Sequence, residues 1–376
     1  MNNESLLEEI HIVKNHSDCT KLVYKQAIGK YTTFCEKSME ELIEEAESEE
    51  DAGIRWKKRK LKRRLLSFRQ YLIDNYSLNT AKSLFQPILV IYKYFEIEVF
   101  DLPKINRKSV KVAKPIEFKD LPDKKIIRNA LEIANPRMKA IIYFMASSGC
   151  ARRETLNLTI GDYVDALSEY TNKTDIYDIL SEIKTTDDII PTFNVLRQKT
   201  NKYYTTYCSP EAVKAINIYL LSREDRLTND SPLFKIEQIY FNKSFKKIND
   251  ELGLGNRGIY ARFRSHMLRK FHASALYNDG MSIDKVNDLQ GKVKNKTDSA
   301  YFMTNPEDLK YEYIKHLSAV TINEEVKKLS IKSPEFIQME NEKNKLETEL
   351  DGIKEEMDDI RSMKSDFERL KAQLEN

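Results

Sequence analysis

The sequence is poor in the features that mark several common classes of protein. Its four cysteines, Cys19, Cys35, Cys150 and Cys208, lie far apart and form no C-x-x-C pair. This spacing argues against a disulfide framework and a zinc site, and it is typical of a reducing compartment. Low-complexity tracts and convincing internal repeats are absent as well.

Long hydrophobic runs are also missing. The longest, around Ile88–Tyr92 and Ala140–Met145, are too short to span a bilayer, and no apolar segment follows Met1. The net charge is only +3, so composition alone does not indicate a nucleic-acid partner. With 376 residues, 32% of them charged, we expect a cytoplasmic, globular protein of two or three domains that does not enter a membrane.

The positive charge is concentrated in one segment. RWKKRKLKRR, residues 55–64, has eight cations in ten residues and continues into an apolar stretch that includes Leu65 and Phe68. This pattern predicts one long helix, basic at its start and amphipathic later. A solvated charged face is the ordinary explanation, but this density favours a surface that contacts phosphates. The predicted DNA-binding residues are Lys57, Lys58, Arg59 and Lys60.

Helical spacing predicts three more helices between residues 18 and 101. They cover Asp18–Cys35, a segment from Ser38 into the acidic run at 44–51, and Thr80–Phe95. Pro87 is expected to kink or split the last of these. Residues 1–17 are predicted to be a flexible N-terminus, and the basic stretch 102–117 an interdomain linker.

Residues with the chemistry of phosphoryl transfer are concentrated between 265 and 302. His266 and Arg269 are three residues apart and share one face of a helix, and Tyr301 follows Lys292 by nine residues. Arginine binds phosphate oxygens with two donors, and tyrosine can form a covalent intermediate. An isolated HxxR pair, however, belongs more often to a surface helix or a satisfied core histidine.

Two upstream segments add to this set. An apolar helix, 137–148, is expected to be buried and to end at Gly149, the third residue of the stretch SSGCARRETLNLTIGDY. Further on, Phe193–Gln198 and Tyr203–Cys208 are β-branched and aromatic segments joined by KTNK, which predicts a hairpin.

These segments together resemble the tyrosine recombinases of the phage integrase type. H-x-L-R-x-x-H, L-x-G-K and the following tyrosine resemble the second half of that family's signature. SSGCARRETLNLTIGDY resembles its first arginine box, and RQKTNK resembles the hairpin that carries its lysine. The resemblance implies six catalytic residues, which are Arg152, Lys199, His266, Arg269, Lys292 and Tyr301.

Three positions depart from the pattern or leave a choice. The common form has its arginine two residues after the glycine, where this chain has Ala151. Arg152 is therefore preferred to Arg153 as the first arginine, as in variant boxes of archaeal and element-borne integrases. Lys202 is a rival for the role of Lys199. Lys292 occupies a position that is usually histidine or tryptophan.

The resemblance implies a mainly α fold with a small β-hairpin in the catalytic domain. It implies a helical core-binding domain at 18–101 and a catalytic domain at 118–322. The expected partner is double-stranded DNA, on which the protein would form a tetramer at synapsis, with no cofactor and no metal. Whether such an enzyme integrates or excises a mobile element, or resolves chromosome dimers, is left open.

The C-terminal region lies beyond this resemblance. Residues 323–376 are predicted to be a coiled-coil tail, because an apolar seam from Met339 to Leu374 has spacings of three and four residues. The tail could self-associate or bind another protein. Two alternatives to a recombinase remain, a type IB topoisomerase and a catalytically idle DNA-binding or scaffolding protein.

Overall fold

The computed structural model describes residues 3–105, 116–183, 188–258, 260–292 and 305–323. Contacts within the chain separate it into two units, which divide between Pro115 and Ile116. The predicted linker at 102–117 spans this division, and its residues 106–115 lie outside the described residues. None of the helices in the described ranges is long and apolar enough to cross a membrane.

The first unit is built from helices. They are α1 Asn3–Val13, α2 Asp18–Cys35, α3 Met39–Asp51, α4 Lys60–Asn75 and α5 Leu78–Tyr94. Helices α2 and α4 pack on α5 around Tyr31, Phe68 and Tyr92, whose side chains are fully buried. The hydroxyls of Tyr31 and Tyr92 share a hydrogen bond of 3.0 Å, which satisfies both polar groups inside this core.

One prediction for this unit was wrong, and one of the two outcomes expected at Pro87 does not occur. The N-terminal residues form α1, because Leu6, Leu7 and Ile10 recur at helical spacing and are buried in the core. Helix α5 is not split at Pro87 but continues through it to Tyr94. Pro87 is itself buried in this helix, which continues although a proline cannot donate a backbone hydrogen bond.

The basic run also differs from its prediction. It forms a short 3-10 turn, Trp56–Lys58, and then α4, with Arg59 in extended backbone between them. Arg59 is only 6% exposed, and its guanidinium donates to the Ile54 carbonyl and pairs with Glu50 at 3.4 Å. The prediction that Arg59 contacts DNA is therefore wrong, because its side chain is buried and already paired.

The acidic helix α3 neutralises part of the same run. Glu45 pairs with Lys60 at 3.1 Å and with Arg64 at 2.9 Å, and these cations together with Lys37 hold the pKa of Glu45 at about 2 despite its burial. Lys57 and Lys58 remain exposed. The sequence places acidic and basic residues in separate blocks, but the fold of the first unit brings the blocks together.

The second unit contains the remaining elements. They are α6 Lys124–Ile133, α7 Pro136–Ser148, α8 Arg152–Asn157, α9 Ile160–Ala166, α10 Ile176–Glu182, β1 Thr192–Arg197, β2 Lys202–Tyr207, α11 Pro210–Leu221, α12 Gln238–Glu251, β3 Asn256–Arg257, β4 Tyr260–Ala261, α13 Ser265–Asn278, α14 Ile283–Leu289, α15 Pro306–Lys315 and α16 Leu317–Val320. The prediction of a mainly α fold with a small hairpin is confirmed.

Helix α7 is the centre of this unit. Asn135 caps its first turn, and its residues are buried on nearly every side where α11 and α13 pack against it. The helix ends at Gly149, whose φ of +67° is a conformation that favours glycine. A side chain at this position would also overlap the ring of His272 on α13. This close approach brings the chain after α7 up against α13.

The predicted hairpin is present within one residue of its expected limits. Strands β1 and β2 pair antiparallel, and Arg197 lies opposite Lys202 in the last pair before the turn. Phe193 and Val195 point into the core, while Lys199 lies exposed in the turn. The hairpin thus carries its apolar face against the core of the unit and presents its turn to solvent.

The last described residues are held firmly in the second unit. Glu211 on α11 accepts hydrogen bonds from the backbone N–H groups of Ile322 and Asn323, at 2.7 and 2.6 Å. Tyr313 on α15 is fully buried, and its hydroxyl donates to the Ser147 carbonyl at 3.0 Å. The predicted coiled coil lies outside the described residues, apart from Asn323.

The N-terminus of α4 depends on a carboxylate from another helix. Glu49 on α3 is buried and accepts from the backbone N–H groups of Lys60 and Leu61, which have no partner within α4. We expect Glu49→Ala to lower the free energy of unfolding by about 1–3 kcal/mol. Urea denaturation would measure this, with Glu47→Ala, at an exposed position of the same helix, as the control. Equal midpoints for the two variants would contradict the capping role.

Candidate active site

Glu154 is the carboxylate around which the predicted site is assembled. It lies in the first turn of α8 and is 7% exposed. Its Oε2 accepts from the Ala151 backbone N–H at 2.6 Å, from the Tyr204 hydroxyl at 2.9 Å and from Arg269 Nη1 at 3.1 Å. A buried carboxylate is costly unless it is paired, and these three donors satisfy that requirement.

Arg269 is buried and held from three directions. Its Nη1 also donates to the Gly149 carbonyl at 2.6 Å, and its Nη2 donates to the Gln290 carbonyl at 2.5 Å. The guanidinium therefore connects α13 to the turn after α7, to α8 and to the end of α14. Such a cation is fixed in place before any substrate arrives, as electrostatic catalysis requires.

The LQGK turn forms the opposite wall. Gln290 is 1% exposed, and its side-chain amide donates to the Arg269 carbonyl at 2.9 Å and to His272 Nδ1 at 3.2 Å. Gly291 has a φ of +57°, and a side chain there would overlap the ring of Tyr204. The glycine thus allows the turn to pack directly against β2.

Arg197 is a site residue that the sequence reasoning missed. It is the last residue of β1, and its Nη1 donates to the carbonyls of Gly291 and Gln290, the latter at 3.3 Å. Its Nε lies 4.0 Å from Glu154 Oε1. The only signal in the sequence is its place two residues before Lys199, and that does not indicate which way the side chain points.

Lys292 and His266 border this cluster. Lys292 directly follows Gly291, whose carbonyl is bound by Arg197, and its pKa is lowered by burial and then by Arg269 and Arg197. His266 is the second residue of α13 and shares a face with Arg269, as predicted. Burial, followed by neighbouring cations, lowers its pKa as well, so the imidazole is neutral at pH 7.

The other predicted catalytic residues are Arg152, Lys199 and Tyr301. Arg152 is the first residue of α8 and donates to Asn242 Oδ1 on α12 at 3.1 Å. Lys199 lies in the hairpin turn, two residues beyond Arg197. Tyr301 lies outside the described residues. The structure therefore brings together Arg269 and Lys292, with His266 nearby, and adds Glu154 and Arg197 to them.

The described part of the chain contains no group of three His, Cys, Asp or Glu side chains that could hold a metal ion. The grouped charges at this site are instead three cations, Arg197, Arg269 and Lys292, around the single carboxylate of Glu154. Such an arrangement has the electrostatic character of a site for an anion.

Residues 123–307 match the model of the phage integrase family. The chain carries a phage integrase domain. All six predicted catalytic positions lie within it, whereas helices α1–α5 precede it. No curated protein matches the chain.

Several solved structures of recombinases are similar to this chain. A lambda integrase dimer bound to a COC′ core site is 12% identical, with 81% of this chain and 99% of that chain covered and a TM-score of 0.48. The Tn1549 transposon integrase in complex with transposon right end DNA is 13% identical, with coverage of 85% and 100% and a TM-score of 0.45. XerH recombinase bound to its difH substrate is 18% identical, with coverage of 70% and 74% and a TM-score of 0.44.

His272 provides a pH test of how the candidate site is packed. Burial, followed by Arg269 and Lys292, lowers its pKa to about 3 from the usual 6.5. The unfolded chain therefore binds a proton below pH 6.5 that the folded chain does not, so this group makes stability fall as pH drops from 6.5 towards 3 and has no effect above 6.5.

We expect His272→Asn, which keeps an acceptor for Gln290 but does not titrate, to remove this component. The slope of unfolding free energy against pH should become shallower by about 1.4 kcal/mol per unit between pH 6 and 4. Urea denaturation at pH 7, 6, 5 and 4 would measure it. Parallel curves for the two proteins would show that His272 is not buried in its neutral form.

Proposed function

We propose that this protein is a site-specific DNA recombinase that cuts and rejoins double-stranded DNA through a 3′-phosphotyrosine intermediate. The observation that carries the proposal is the fixed Arg269 guanidinium, held by buried Glu154 beside Arg197 and Lys292 within an integrase domain. A preorganised cluster of cations stabilises the charge that develops on a phosphate under attack.

The proposed reaction is one transesterification. The Tyr301 oxygen forms a bond to the scissile phosphorus while the bond to the 5′-oxygen breaks, which gives a 3′-phosphotyrosine and a free 5′-hydroxyl. Arg152 and Arg269 neutralise the non-bridging oxygens. Lys199 donates a proton to the departing 5′-oxygen. His266, whose pKa is lowered, accepts the proton that the tyrosine loses, and its ring can also hydrogen-bond the phosphate.

Recombination needs this reaction on several strands. We propose that the first unit holds the duplex through exposed cations such as Lys57 and Lys58, and that the protein assembles as a tetramer on synapsed DNA in the cytoplasm. Lys60, paired with Glu45, is a weaker candidate for the same surface. The predicted coiled coil would add contacts to a second copy or to another protein. No finding favours a topoisomerase.

Tyr301→Phe should abolish covalent attachment to DNA while leaving DNA binding intact, because only the nucleophilic oxygen is lost. Wild-type protein and the variant would be mixed with nicked duplexes of random sequence, and adducts that survive denaturing electrophoresis would be recovered and sequenced. Binding to the recovered duplex serves as the control. An adduct formed by the variant would assign the nucleophile to another tyrosine.

Arg152→Ala should slow single-turnover cleavage of the recovered duplex by a factor on the order of 100 or more, because it removes charge stabilisation from the transition state. Arg153→Ala, at the adjacent exposed position, is the matched comparison and should retain nearly full activity. The reverse pattern would reassign the first arginine to Arg153. Full activity in both variants would support a site that works without an arginine in this box.

A further inference from the structure

Arg197 links the two segments that carry the lysines of the proposed mechanism. Its backbone carbonyl accepts from the Thr200 N–H at 3.0 Å, which closes the turn that contains Lys199. Its side chain crosses to the LQGK turn and donates to the carbonyls of Gln290 and Gly291, the two residues before Lys292. One residue therefore holds both turns.

The two turns share another contact at the same place. Gly291 packs against the ring of Tyr204 on β2, and the Tyr204 hydroxyl donates to Glu154. The Arg197 side chain is 20% exposed, and it reaches Glu154 only at 4.0 Å. Its main hydrogen bonds are thus to the two backbone carbonyls rather than to a carboxylate.

The charges argue against a purely structural role. Arg197 and Arg269 both donate to the Gln290 carbonyl, two residues before Lys292, and like charges this close oppose one another. A neutral donor could satisfy the same carbonyls without this repulsion. A third cation is favourable here when an anion occupies the site, and the planar, two-sided donor geometry of arginine suits two adjacent carbonyl oxygens.

We propose that Arg197 is a positioning residue, which fixes the turn carrying Lys199 against the turn carrying Lys292 so that both lysines face one scissile phosphate. This assignment rests on the proposed function of the domain. Loss of Arg197 should therefore impair protonation of the 5′-oxygen while the nucleophile and Arg269 remain in place. The loss of cleavage rate should therefore depend on whether the leaving group needs a proton.

The test uses the full-length protein and the duplex recovered by covalent capture, made in two forms. One has the ordinary 5′-bridging oxygen and the other has sulfur there, a leaving group that needs no proton. We expect Arg197→Ala to cleave the ordinary duplex about 100-fold more slowly than wild type, within the range of a lost general acid. On the sulfur duplex its rate should return to within several-fold of wild type, as it should for Lys199→Ala.

A double-mutant comparison separates positioning from a direct contact. If Arg197 acts through Lys199, adding Arg197→Ala to Lys199→Ala should slow cleavage little further. Gln198→Ala, at the exposed neighbouring position, should behave as wild type on both duplexes. Arg197→Gln, which keeps a side-chain donor, should lose less activity than Arg197→Ala. If thermal unfolding shows that the alanine variant does not fold, the glutamine variant is used in its place.

Equal slowing on both duplexes would overturn the proposal, because Arg197 would then act on the phosphate or on the fold as a whole. An unchanged rate on the ordinary duplex would overturn it too. Failure of the underlying function has a different result, since covalent capture with wild-type protein would then recover no duplex at all.

Discussion

The buried ion pair between Glu154 and Arg269 is the interaction on which the rest of the site depends. Without the carboxylate, the guanidinium groups of Arg269 and Arg197, which both bind the Gln290 carbonyl, would repel one another. The pair also fixes the backbone, since Glu154 binds the N–H of Ala151 and Arg269 binds the carbonyl of Gly149. The turn after α7 is thus held through one backbone N–H and one backbone carbonyl. These bonds fix the positions of Glu154 and Arg269 relative to each other.

Backbone carbonyls supply the second half of this framework. The last carbonyls of a helix have no partner within it and carry partial negative charge. Helix α14 ends at Leu289, and the carbonyls of Gln290 and Gly291 that follow are taken by Arg269 and Arg197. These arginines are therefore neutralised in part by dipoles that cannot be protonated. A phosphate entering the site meets cations that are already oriented but only partly compensated.

Local rules predicted much of the fold and part of the site. The buried helix α7 with its glycine end, the β1–β2 hairpin and the shared face of His266 and Arg269 all follow from spacing and turn chemistry between near neighbours in sequence. The missed features join distant segments. Arg197 meets residues about ninety positions later, and Arg59 is buried by an acidic helix that the sequence presents as a separate block. Composition shows how many charges there are but not which of them face each other.

The displaced arginine box shows how one residue of register changes a site. Ala151 is the N-cap of α8, and its backbone N–H donates to Glu154. The backbone at this position therefore lies next to the carboxylate. Arg152 begins the helix itself and reaches α12 through Asn242. Successive positions of a helix are about 100° apart around its axis, so an arginine side chain moved by one residue projects from a different face of the helix. A further guanidinium near Glu154 comes from the hairpin, as Arg197. The charge around the carboxylate is therefore assembled from three segments, and the hairpin must be in place before the site is complete.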